Sequence, residues 1–308
     1  MRTINVLIGT NEKEIKDFFN ILSAKKQVKF FSSENMNEVI KSINQGENLA
    51  VIVQNNLVLI SKIIETAKEF GYLIKGDLFL DENQEDDLLS LENGFHKLNI
   101  YKNGKLIKGD MKPLIATSNL GKIAIYTQIF KELGLHCCSL RDIKVDIEIE
   151  ENGKNELENA MIKAKAYHEV TGLPVLCNDS GLVIEKFAPA DQPGVFVRRY
   201  GGRELTDEET IKIFSEKLAK VGGESDAYFN VGIVLCDKNG EFHSRLFKSY
   251  RYMKLPASKV VEKGLPLRSL DYNKEFGKYM SEMTIEEANA SEGDCIKLQT
   301  EFVKEIFG

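Results

Sequence analysis

Hydrophobic positions in the first third of the chain follow two alternating rhythms. Short apolar runs at residues 4–8, 28–31, 49–53 and 73–74 predict buried strands. Between them Ile15, Phe18, Phe19 and Leu22, and later Leu59, Ile60, Ile63, Ile64 and Ala67, recur at the three- and four-residue spacing of a helix face that packs on a core. The β-α-β-α-β succession predicts a small α/β domain. The acidic stretch 81–87 suits a solvated loop or helix start, and turn residues between 102 and 110 precede Pro113. The first domain is therefore expected to cover residues 1–111 and the second 112–308.

The pattern restarts after Pro113. Residues 114–117 predict a short strand, and Ile123, Tyr126, Ile129, Phe130 and Leu133 a helix that Gly134 ends. Strict alternation over residues 145–150 predicts a strand with Val145, Ile147 and Ile149 on one face and Asp146, Glu148 and Glu150 on the other. Leu157, Ala160, Met161, Ala164 and Tyr167 predict another helix, which leaves Asn159 and Lys163 together on a different face. Residues 173–184 read as two apolar strand halves interrupted by Asp179, Ser180 and Gly181.

At 308 residues the chain has room for two such domains. Its net charge of −6 argues against a partner that is a nucleic-acid polymer, because backbone phosphates need a broad basic surface. Cys137, Cys138, Cys177, Cys236 and Cys295 show neither a C-x-x-C pair nor paired metal-ligand spacing, which argues against structural zinc and a disulfide framework. No apolar stretch approaches the roughly 18 residues of a membrane span, so the expectation is a cytoplasmic protein without a membrane partner.

Candidate chemistry is concentrated in the second domain. A strand leading through Ser118-Asn119-Leu120-Gly121-Lys122 into a helix presents free N–H groups and the positive dipole end, which suit a phosphate. The same Asn119 also suits an N-cap and Lys122 an ordinary surface lysine, and both readings stand. Carboxylates sharing a strand face suit either solvent or a hard cation such as Mg2+. Lys163 is spaced to reach over the phosphate turn and equally to stay in water. An Asp inside an apolar run is costly to bury unless bonded or ligating, which makes Asp179 a functional candidate. In the first domain no comparable set occurs. Thr10-Asn11-Glu12-Lys13 only loosely echoes the later turn, and Gln54 stands where a receiver-type phosphoacceptor would need a carboxylate.

Taken in order, Thr117-x-Asn119-x-x-Lys122, Glu150-Glu151-x-Gly153, Glu158-Asn159-Ala160-x-x-Lys163-Ala164, Asp179-Ser180-Gly181-Leu182 and Pro193-Gly194 through Arg199-Tyr200 resemble the inosine triphosphate pyrophosphatase family. The resemblance implies an α/β fold with an elongated mixed sheet and two lobes around a nucleotide cleft, here preceded by the small N-terminal α/β domain, and commonly a homodimer. It implies Mg2+-dependent hydrolysis of a nucleoside triphosphate to monophosphate and pyrophosphate. Carried over, Thr117, Asn119, Lys122, Ser180 and Arg199 would bind substrate, Glu150 and Asp179 would hold the metal, and Asp179 and Lys163 would be catalytic, with Asp179 the base that activates water.

Two departures qualify this. The family's first of two adjacent acids is Asn178 here, which removes a negative charge. The base-recognition segment Gly-Phe-Gly-Tyr-Asp-Pro reads Gly264-Leu-Pro-Leu-Arg-Ser-Leu-Asp271-Tyr272, and the later purine-reading Lys, His and Arg fall on Ala288, Glu292 and Gly293. The expectation is a pyrophosphatase with altered base preference. The alternatives are a catalytically weak nucleotide-binding or sensing protein, and an interaction module.

Overall fold

The computed structural model describes residues 1–9, 29–32, 36–53, 56–80, 92–102, 105–145 and 147–308. The helical pattern at residues 15–22, the Thr10–Lys13 echo, Gln54 and the acidic stretch 81–87 lie outside them. The chain divides into two compact units. One comprises Met1–Ile149, Lys165–Leu176 and Cys236–Glu241, and the other Glu150–Ala164, Cys177–Leu235 and Phe242–Gly308.

The first unit contains a six-stranded sheet ordered β2-β3-β1-β4-β5-β6. Its strands are β1 (Thr3–Ile8), β2 (Lys29–Ser32), β3 (Leu49–Val53), β4 (Leu73–Leu80), β5 (Lys97–Lys102) and β6 (Lys105–Met111). The first five run parallel and β6 returns antiparallel at the edge. Burial dictates the pairing: Ile4, Val6, Ile8, Val51, Val53, Ile74 and Leu78 form one face of the core. Helices α1 (Met36–Asn44) and α2 (Leu57–Glu69) cover that face with Val39, Ile43, Ile60, Ile63, Ile64 and Ala67. Asn56 caps α2 by accepting the Leu59 N–H at 3.1 Å. The interior strand β3 is apolar throughout and β1 nearly so, as expected of buried parallel strands, whereas β4, β5 and β6 carry interspersed polar residues.

His96 joins β5 to β4. Its Nδ1 accepts the Ile74 N–H at 3.0 Å, and burial, aided by the nearby Lys112 and Lys68 ammonium groups, holds its pKa down at about 4. Its ring is therefore neutral near pH 7, as an acceptor must be. Also in this unit, Lys144 lies against Gly71 and donates to the Glu69 carbonyl at 3.1 Å. Gly71 has a positive φ of 69°, and a side chain there would collide with the Lys144 stem.

The first unit also holds β7 (Leu114–Ile115), parallel both to β8 (Cys138–Ser139) and to the opening residues of β9 (Val175–Ile184). Helix α3 (Leu120–Glu132) follows β7 and ends at Leu133, with Gly134 at φ 70°. The expected strand at 145–150 does not form among the described residues: 147–150 carry no ladder, and Asp146 lies outside them. The alternation survives only as burial, with Val145 buried, Ile147 and Ile149 half-buried, and Glu148 and Glu150 exposed. Period two specifies which side chains face inward; a strand also needs a neighbouring backbone to pair with.

In the second unit β9 is one unbroken strand, not two halves, and β10 (Glu224–Cys236) lies between it and β11 (Phe242–Lys254). Helix α4 (Glu156–Thr171) begins here. Helix α5 (Asp207–Lys220) carries a Thr206–Glu209 capping box and buries Phe214 and Leu218 against Leu182, Ile184, Ala227 and Met253. The final helix, α6 (Ile285–Phe307), packs Phe302 on Phe247 with ring centroids 6.0 Å apart. Among the described residues no helix is long and apolar enough to cross a membrane.

Candidate active site

Helix α4 is built to start where it does. Asn155 stands at the N-cap, its side chain accepting the Glu158 N–H at 3.0 Å, while Glu158 accepts the Lys154 N–H at 2.7 Å. Glu156 and Glu158 in the first turn complement the helix dipole. Three and seven residues after Glu156, on one face, come Asn159 and Lys163.

That face meets Asp179 on β9. Asn159 is 2% exposed; its Nδ2 donates to Asp179 Oδ2 at 3.0 Å, and its Oδ1 accepts the Gly153 N–H at 2.8 Å. Lys163 Nζ lies 3.3 Å from Asp179 Oδ1 and 3.1 Å from Glu151 Oε2. The Lys163 and Asp179 side chains keep only 15% and 16% of their exposure, so water screens this pair weakly. Two carboxylates thus share one ammonium, and a buried amide fixes the second oxygen of Asp179. The interruption foreseen at residues 179–181 is chemical only: hydrogen bonds satisfy the carboxylate, so the strand passes through it intact.

Of the residues singled out from sequence, Asp179 and Lys163 come together. The carboxylate beside them is Glu151; Glu150 is exposed, its backbone carbonyl accepting the Asn152 N–H at 3.1 Å. Asn159, placed beside Lys163 on one helix face but given no role, emerges as the bridge between helix, turn and Asp179. Its signal was the four-residue spacing to Lys163 on the helix. Ser180 is half-buried, and strand alternation turns it to the opposite face from Asp179. Arg199 is exposed, its guanidinium 5.9 Å from the centroid of the Phe196 ring. Neighbouring Asn178 is 4% exposed, and its Oδ1 is buried without a hydrogen-bond partner.

The turn at residues 117–122, in the first unit, has the strand-turn-helix form expected. Asn119 caps α3, accepting the Lys122 N–H at 3.1 Å, and its own N–H donates to Thr117 Oγ1 at 3.3 Å. The capping role is therefore realised, and Leu120 and Gly121 in the first turn of α3 are exposed.

The Ham1 family profile matches residues 114–291. The chain belongs to the Ham1 family. A dITP/XTP pyrophosphatase of Geobacter sulfurreducens is 34% identical over 178 residues, 58% of this chain and 87% of that protein. One of Leptospira interrogans is 37% identical over 127 residues, so this chain spans 63% of that relative's length and the match 41% of its own. Among solved structures, a HAM1 protein from Coxiella burnetii is matched over its full length with a TM-score of 0.52, at 26% identity and 63% coverage of this chain. The Ham1 match thus contains the whole Asp179 constellation and the turn at 117–122, and its mixed α/β architecture agrees with the fold described.

The segment 264–272, aligned above with the base-recognition motif by resemblance, is used for packing in this Ham1 chain. Pro266–Ser269 form a single 3-10 turn, Leu267 and Leu270 enter the core beside Met253 and Leu182, and Ser269 is fully buried with its hydroxyl on the Pro266 carbonyl at 2.7 Å. Asp271 pairs with Arg251 at 3.1 Å, both nearly buried. Ala288 and Ser291 sit on α6, the serine hydroxyl donating to the Ala288 carbonyl at 2.7 Å.

Proposed function

We propose that this chain hydrolyses a nucleoside triphosphate to the monophosphate and pyrophosphate with Mg2+, with a base preference shifted away from inosine and xanthosine. The supporting observation is Asp179 held between Asn159 and Lys163 in a Ham1 member whose relatives are named dITP/XTP pyrophosphatases.

The donor chemistry fits Mg2+. Asp179 and the glutamates at 150 and 151 offer hard oxygens, which suit a cation that keeps several waters and takes the rest of its shell from one or two carboxylates and substrate phosphates. Asp179 with Glu150 would hold it, as the resemblance implies, and when bound it would supply neutralisation of phosphate charge.

The protein's own share is positioning and proton transfer. Asp179 accepts the proton of the attacking water as its oxygen bonds the α-phosphorus and the bond to the departing pyrophosphate breaks. Lys163 orients the carboxylate and opposes phosphate charge. Thr117, Asn119 and Lys122 contact the triphosphate through the turn and its N–H groups. Ser180 and Arg199 hold other parts of the substrate. Loss of the aromatic and of the purine-reading cations removes contacts that discriminate bases.

A second reading, a nucleotide sensor of low turnover, draws on Asn178, which buries an unpaired oxygen where the family carries an acid. Pyrophosphate release measured across canonical and damaged nucleoside triphosphates with Mg2+ decides between them. Release from at least one nucleotide, lost in Asp179→Asn, supports the hydrolase. Tight binding without release supports the sensor, and absence of both sinks each reading.

Residues 1–111 are proposed as an accessory α/β domain of a cytoplasmic homodimer; light scattering of the purified chain tests the dimer.

A further inference from the structure

Two glycines lie under the first turn of α4. A Cβ on Gly232 of β10 would lie 2.8 Å from the Glu156 carbonyl carbon and 2.8 Å from Leu157 N. A Cβ on Gly181 of β9 would run into the Glu156 carboxylate and lie 2.9 Å from the Gly194 carbonyl carbon. Both glycines are buried, and neither has the positive φ that would explain a glycine by backbone conformation. Glycine inside a strand weakens it and marks a close approach of another backbone. Here the approaching backbone is the helix that carries Asn159 and Lys163.

We infer that Gly232 is a positioning residue for the proposed hydrolysis. By allowing backbone contact between β10 and the first turn of α4, it sets the height of that helix above the sheet. The height in turn sets the Asn159–Asp179 and Lys163–Asp179 separations of 3.0 and 3.3 Å. Gly181 does the same on β9 through the Glu156 side chain. The two sites differ in how a methyl group would be accommodated. At Gly232 the obstacle is main chain, so α4 itself must retreat by several tenths of an ångström. At Gly181 part of the obstacle is a carboxylate that substitution removes.

The crystal structure of Gly232→Ala is the direct test. Both contacts to Asp179 should open beyond about 3.5 Å, too long for a hydrogen bond. A folded variant that keeps both at their present lengths overturns the inference. In the kinetic arm, kcat should fall about 10- to 100-fold, as small misplacements of catalytic groups do, with KM changed less than about threefold. Unchanged kcat overturns it, and so does a loss confined to KM.

Should Gly232→Ala fail to fold, Gly181→Ala and Gly181→Ala/Glu156→Ala serve in its place. The single variant should lose kcat and the double variant recover part of it, while no recovery counts against the inference. This kinetic arm rests on the proposed hydrolysis; the distances do not. If the unmodified chain releases no pyrophosphate from any nucleotide, the functional reading fails, and the crystallographic contacts alone decide the role of Gly232.

Discussion

The α4–β9 constellation and the segment 264–272 both carry residues that the family resemblance implies would meet a nucleotide, yet their side chains are put to opposite uses. At the first, Asn159, Lys163, Glu151 and Asp179 bond one another through hydrogen bonds of 3.0–3.3 Å, and Lys163, Glu151 and Asp179 keep part of their exposure while Asn159 is buried. At the second, Leu267 and Leu270 are drawn into the core, Asp271 pairs with Arg251, and Arg268 pairs with Glu262. A ligand-facing group must leave some bonding capacity free, whereas a packing group must leave none. By that criterion the first stretch suits the phosphate handling proposed above, and the second serves packing.

Four measurements would break or sharpen this contrast. The largest effect belongs to Asp179→Asn, which preserves shape and removes the base: kcat should fall about 10³-fold, or about 4 kcal/mol, with folding retained. A loss below about tenfold would place the chemistry elsewhere. Next comes Leu270→Ala, which should cost about 3 kcal/mol of stability in denaturant unfolding while leaving kcat/KM nearly unchanged. If activity falls and stability does not, 264–272 touches substrate after all.

The third lies outside both stretches and separates stability from chemistry. His96 has a folded pKa of about 4 against an ordinary 6.5, so the unfolded chain binds the proton more readily between those values. Its contribution is full above about pH 6.5 and is lost as pH falls toward 4, on the order of 2–3 kcal/mol. Unfolding free energies at pH 7 and 4.5 should differ by more in the unmodified chain than in His96→Gln. The smallest effect concerns the base. Hypoxanthine and adenine nucleotides should differ by less than about tenfold in kcat/KM, about 1.4 kcal/mol, since the groups that would separate them are replaced. Strong discrimination would reveal a rebuilt base site.

Much of the fold was legible because its signals are local. The runs at 4–8 and 49–53, the helix faces at 59–67 and 123–133, and the stop at Gly134 all rest on side-chain periodicity or on one residue's backbone freedom. The site was legible in part. Asp179 stood out as a carboxylate in an apolar run, and Lys163 by spacing within α4. The partner carboxylate did not, since Glu150 and Glu151 are adjacent in the chain and only their packing decides which meets the ammonium. Nor was the irregular path of residues 147–150 legible, since their alternation finds no partner strand among the described residues.

The sequence by itself determined which segments alternate between core and solvent, where the strand-turn-helix at 117–122 lies, and which acids, lysine and amide were available for chemistry. The tertiary structure alone decided that Asn159 binds Asp179, that Glu151 shares Lys163, that 264–272 fills the core, and that Gly181 and Gly232 admit α4 so closely. The division has a physical cause. Periodicity is written into neighbouring residues, whereas these contacts join positions that only packing brings together, at distances where a few tenths of an ångström determine whether a hydrogen bond exists.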